Sequence, residues 1–104
     1  MQKSVYNVPA MERKRPRNII GGTCRRLRAR QGLTQSDLVA RCQLMGWMIN
    51  RTTIAKIESG LRHATDAEVA LLAHALGTTA DSLLQGTREE LLAAARHSPE
   101  SSAD

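Results

Sequence analysis

Asn50, Arg51, Thr52, Thr53 and Lys56 place an amide, a guanidinium, two hydroxyls and an ammonium within seven consecutive residues. All are hydrogen-bond donors or cations, and none is a thiol, imidazole or carboxylate that could open a covalent reaction. Their chemistry is either that of a solvated helix face or recognition of an acceptor-rich, negatively charged surface. Ile54 and Ile57, spaced i, i+3, would turn inward on a helix. That leaves Arg51, Thr52, Thr53, Ala55 and Lys56 around its outer and flanking faces. Catalysis has no comparable constellation. There is no nucleophile–base pair and no phosphate-cradling glycine loop. Cys24 and Cys42 are not in C-x-x-C spacing, and His63, His74 and His97 complete no ligand set. No enzyme activity, catalytic residue, metal or cofactor is expected, and both cysteines read as small core residues.

Charge supports recognition. Residues 1–33 carry nine Lys/Arg against the single acid Glu12, whereas residues 61–104 carry three Arg against seven acids. A basic front fits a polyanionic partner. No stretch reaches the roughly 18 apolar residues of a membrane span, and no basic n-region precedes an apolar h-region. A cytoplasmic location without membrane contact is expected. Aromatics are limited to Tyr6 and Trp47, too few for the stacking platforms of single-strand or RNA binders.

The elements that must hold the donor-rich face are marked by caps and stripes. Residues 1–17 have Pro9, Pro16 and the run Glu12–Arg17 but no apolar period, so they read as a flexible basic arm. Either it is a solvated tail, or it touches phosphates or the minor groove, with Arg17 nearest the fold. A first helix is expected from about Asn18, as N-cap, to Arg30, with Ile20, Cys24 and Leu27 on one stripe and close packing at Gly21–Gly22. Gly32 stops it. Thr34 and Asp37 form a capping box for a second helix that buries Leu38, Val39 and Cys42 and ends at Gly46. Asn50 caps the third, which ends at Gly60. Thr65 and Glu68 open a fourth, carrying Val69, Leu72, Ala73 and Leu76. Thr79 opens a short fifth with Leu83 and Leu84 as its buried pair, and Thr87 with Glu90 opens a sixth. The tail from Ser98 is polar. The expected division is a 1–17 arm, an 18–86 domain and an 87–104 C-terminal helix and tail. One domain with an aliphatic core this small has only a few kcal/mol of margin, and dimerisation would help it.

Residues 34–60 thus read as two capped helices in succession, the second with an exposed polar face, which is the layout of a helix-turn-helix DNA reader. The ordered set Leu27-Arg28, Gly32-Leu33-Thr34-Gln35, Leu38, Ile54-Ala55-Lys56-Ile57-Glu58-Ser59-Gly60 and Ala70-Leu71-Leu72-Ala73-His74-Ala75-Leu76-Gly77 resembles the Cro/C1-type (Xre) helix-turn-helix family over about residues 18–86. The resemblance implies an all-α, compact five- to six-helix domain, lambda-repressor-like. It also implies sequence-specific double-stranded DNA binding by a transcriptional regulator, a repressor, with the helix at about Asn50–Ser59 in the major groove. By the same resemblance Gln35 lies against the DNA backbone and reaches a base edge. Arg51, Thr52 and Lys56 read bases, with Asn50 and Thr53 beside them, and Arg62 follows closely enough to touch phosphate. Arg28 and Glu58 form a structural ion pair. Relatives bind as dimers, so a homodimer is expected, with the last two helices as its interface.

One stretch departs from the family pattern. Thr34 to Ile54 spans twenty-one residues, longer than the family's usual spacing, and the surplus falls in Gln43–Ile49. Either the second helix is longer or the connection is a real loop. Trp47 either plugs the gap this leaves or anchors a protein partner through this segment. The competing function is therefore a protein-interaction, antitoxin-like module that reuses the fold.

Overall fold

Side-chain oxygens set where most of the helices begin. The computed structural model describes residues 16–96. Within them lie α1 (Gly21–Arg30), α2 (Gln35–Leu44), α3 (Arg51–Glu58), α4 (Asp66–Ala75), α5 (Ala80–Leu83) and α6 (Arg88–Ala95), with no strand among the described residues. The chain is all-α. The arm up to Arg15 and the tail from His97 lie outside the described residues. Thr34, Asn50, Thr65, Thr79 and Thr87 each accept a hydrogen bond from a backbone N–H three residues on. Three of these caps are full boxes, closed by Asp37, Glu68 and Glu90. Each satisfies donors that helix geometry leaves without an internal partner.

The start of α1 departs from expectation. The helix begins at Gly21, its N-cap is Ile20, and Asn18 stands ahead of it. Asn18 Oδ1 still accepts from the N–H groups of Ile20 (3.0 Å) and Gly21 (2.8 Å), so it satisfies the first turn from outside the helix. Its position is fixed by the other half of the amide. Nδ2 donates to the carbonyls of Ile57 (3.0 Å) and Arg62 (2.8 Å), at and beyond the end of α3. Gly21 makes that approach feasible. A Cβ there would lie 2.4 Å from the Ile57 carbonyl oxygen, so only glycine lets the two backbones meet.

The core is aliphatic with two thiols. Ile20, Cys24, Leu38, Cys42, Ile54, Ile57, Leu72 and Leu83 are fully buried. α3 packs on α1 and α2, and α4 packs on α2 and α5. Both cysteines are free. Burial first, then the charge of neighbouring Glu58, pushes the Cys24 thiol up to about 12, so it stays protonated and packs as a small hydrophobe. α5 does not bury the expected leucine pair. Leu83 is enclosed but Leu84 is 46 % exposed. Leu84 is the C-cap just past this four-residue helix, where the chain leaves the helical turn and its side chain meets solvent. α6 buries no side chain at all, and Leu91 and Leu92 remain exposed on it.

The surplus residues form a built loop. Five of them, Met45–Ile49, lie between the end of α2 and the Asn50 cap. Gly46, at φ 94°, turns the chain out of α2 in a conformation that a side chain would strain. The Trp47 N–H then returns to the Cys42 carbonyl (3.0 Å), and the indole packs half-buried against the core. Gln43 Nε2 donates to the Ile49 carbonyl at 3.2 Å, closing the loop from the side. No helix of the described residues is long and apolar enough to cross a membrane.

Candidate nucleic-acid interface

α3 is eight residues long, and its two ends are treated differently. Ile54, Ile57 and Glu58 face the interior at i, i+3, i+4. At the N-terminal end Asn50 Oδ1 accepts from the Thr53 N–H at 2.8 Å, which leaves the Asn50 amide hydrogens directed elsewhere. Arg51, Thr52 and Lys56 are exposed, and Thr53 is half-buried. Thr52 and Lys56, four apart, lie on one face. A hydroxyl, an ammonium and a guanidinium therefore share the solvent side of one short, anchored helix. The N–H groups of its first turn add the positive end of the helix dipole.

At the C-terminal end Glu58 is the hub. Its side chain is 2 % exposed. Arg28 of α1 grips it as a fork, Nε to Oε2 at 2.7 Å and Nη2 to Oε1 at 3.0 Å. Gln35 of α2 donates Nε2 to Oε1 at 3.0 Å, and the Cys24 thiol donates weakly to Oε2 at 3.9 Å. The hydrogen bond to Glu58 raises the Arg28 guanidinium above its ordinary value. Arg28 Nη1 also donates to the Leu33 carbonyl at 2.8 Å. One carboxylate thus ties α1, the α1–α2 turn and α2 to the last turn of α3. A buried charge so fully bonded avoids the penalty that an unpaired one would carry. Asn18 holds the Ile57 carbonyl, and the Arg17 N–H donates to the Gly60 carbonyl at 2.8 Å.

The residues singled out from sequence are therefore spread over three places. Asn50, Arg51, Thr52, Thr53 and Lys56 sit along the outer and flanking sides of α3. Gln35 lies at the inner junction, half-buried, with its amide engaged by Glu58 beside Arg28. Arg62 is drawn away to α4. Its Nη1 and Nη2 meet Glu68 Oε1 and Oε2, each at 2.9 Å, and Nη1 also reaches the His63 carbonyl. That fork holds the Glu68 carboxyl below the usual carboxylate range, helped by the backbone N–H of Thr65. Arg62 is thereby a clamp on the α4 cap. Arg17 is tethered through its backbone with its side chain exposed.

Sequence reasoning misses two supports. Asn18 is legible as a cap but not as a link to α3, because its partners lie thirty-nine and forty-four residues away. Arg41 and Gln31 close the end of α4: Arg41 Nη1 donates to the Ala75 carbonyl (3.1 Å), and Gln31 Nε2 to that of Leu76 (2.7 Å). Cations and amide donors suit the free carbonyls of a helix C-terminus. Their types hint at this role, but only the packing of α2 on α4 reveals it.

Comparison with known proteins adds one finding. No curated protein matches the chain, and no solved structure does. A family model described as a helix-turn-helix domain matches residues 19–85, which runs from just ahead of α1 to just past α5 and takes in the whole α2–loop–α3 unit. The fold, the anchored α3 and this match agree, and the chain belongs to the helix-turn-helix domain family.

Proposed function

We propose that this chain is a sequence-specific double-stranded DNA-binding regulator of the Cro/C1 (Xre) type, a repressor that reads the major groove with α3. Helix-turn-helix domains bind DNA in this manner. The observation that carries the reading is the exposed Arg51–Thr52–Lys56 face on a helix whose opposite side and far end are locked by Glu58. Arg51 suits a bidentate contact to a guanine through O6 and N7. Lys56 and Thr52 suit base or phosphate acceptors on the same side, with Asn50 and Thr53 at the entering end. Arg17 suits a phosphate near the end of α3. Gln35 serves the reading at second hand, by holding Glu58. Arg62 is omitted from the contact set because Glu68 occupies its guanidinium. Occupying a site is enough to exclude a polymerase, so repression requires no further part.

Two copies on paired half-sites fit the exposed Leu84, at the end of α5, and Leu91 and Leu92 of α6. Such a dimer would space its half-sites by about 34 Å, one turn of duplex. Selection of bound duplexes from a random pool at two salt concentrations tests the whole reading. The expected result is an enriched motif and a steep fall in affinity with salt. Recovery of random sequence would overturn it. On the enriched duplex, Arg51→Ala should relax preference at one base position, whereas Arg17→Ala should weaken all sequences alike. A second reading, a protein-interaction module of antitoxin type, is favoured by the exposed Leu44 and Met48 around the loop. It predicts capture of a protein partner with no duplex enrichment.

A further inference from the structure

The Met45–Ile49 loop does more than bridge two helices. From Trp47 to Asn50 burial alternates: Trp47 half-buried, Met48 exposed, Ile49 buried, Asn50 exposed. The Ile49 N–H donates back to the Trp47 carbonyl, which closes a γ-turn with Met48 at its apex and turns the residues on either side of it inward. Met48 projects from this apex two residues ahead of the exposed cap Asn50, whose next neighbours are the exposed Arg51 and Thr52. The segment is held in place. Ile49 N–H donates to the Trp47 carbonyl at 2.9 Å, Gln43 Nε2 holds the Ile49 carbonyl, and Ile49 itself sits in the core. Met48 is 77 % exposed on this fixed ridge. A large apolar side chain has no solvation reason to be there, and it extends the donor-rich end of α3 by one apolar position.

The major groove offers one apolar group that distinguishes a base, the C5 methyl of thymine. A thioether chain is unbranched and polarizable, and it adapts to such a contact. We infer that Met48 reads a thymine methyl at the edge of the site contacted by α3, so that the loop adds a base position to the recognition helix. This inference rests on the DNA-reading function proposed above.

The test replaces thymine by uracil, one position at a time, in the duplex enriched by selection. Uracil lacks only the C5 methyl. With the unaltered protein, one position should lose affinity by about fourfold, the worth of one buried methyl-sized group. Met48→Ala should abolish that thymine-to-uracil ratio, and Met48→Leu should retain most of it. Leu44→Ala, 89 % exposed at the end of α2, should leave the ratio intact, which separates this contact from general surface stickiness. Because Met48 is exposed, thermal unfolding of Met48→Ala should match the unaltered chain. An enriched duplex with no uracil-sensitive position, or a ratio that survives Met48→Ala, overturns the inference and leaves the DNA-reading function standing. The inference also falls if Met48→Ala instead breaks a complex with another protein or with a second copy. Failure to enrich any duplex overturns the function and this inference together.

Discussion

The two ends of α3 solve opposite problems. At its C-terminal end, Glu58 has four donors from three other residues of α1 and α2, and Asn18 and Arg17 hold the carbonyls of Ile57 and Gly60. At its N-terminal end, one capping amide and a buried isoleucine do the holding, and Arg51, Thr52 and Met48 face solvent. The chain concentrates its buried polar chemistry at one end of the helix and leaves the side chains of the opposite end open to solvent. Rigidity and availability are separated along fewer than three turns. A stability test and a binding test should therefore respond to different residues of the same helix.

The largest effect should come from Glu58→Ala. Removing one partner of a buried, hydrogen-bonded pair strands Arg28 and should destabilise the fold by about 3–5 kcal/mol, measured by chemical denaturation. A loss below about 1 kcal/mol would mean that the hub is ornamental. Gly21→Ala should follow. Helix propensity alone would make it stabilising by about 1 kcal/mol, but overpacking against the Ile57 carbonyl should turn it into a loss of about 1–3 kcal/mol. An increase in Tm would break the close approach of α1 to α3.

Glu68→Gln should cost about 1 kcal/mol near neutral pH, in the range of a partly exposed ion pair. Its sign with pH is fixed. The folded carboxyl titrates below its unfolded value, so its stabilisation is present above the unfolded value and is lost as pH falls through the folded one. The variant should show a shallower acid-side slope. A slope identical to that of the unaltered chain would break the Arg62–Glu68 assignment. Smallest in stability should be Arg51→Ala, within about 0.5 kcal/mol, while discrimination at one base falls by about 1–3 kcal/mol. Paired changes in both quantities would show that the two ends of α3 are not separable.

Local signals are legible in the sequence, and the non-local ones are not. Thr34 with Asp37, Thr65 with Glu68 and Thr87 with Glu90 announce helix starts because each box closes within four residues. Glycines after α1, α2, α3 and α4 announce the ends for the same reason. Leu84 escapes such reading because its exposure depends on how one turn of helix lands on α4, which no neighbouring residue encodes. For the candidate site, composition identifies Arg51, Thr52 and Lys56 as available donors. It does not tell that Gln35 and Arg62, donors of similar type, find carboxylates within the fold. Donor chemistry is written in the sequence, whereas the identity of the acceptor is a property of packing.

The chain contains one tryptophan, and its indole lies half-buried in the loop beside the Met48–Asn50 ridge. The protein thus carries its own optical label at the junction of its two tasks. Denaturation should shift Trp47 emission to longer wavelength as the ring leaves the core, whereas a ligand seated on the ridge should alter intensity while the core stays closed. Spectral position and brightness would then be separate readouts, obtained from one unlabelled sample.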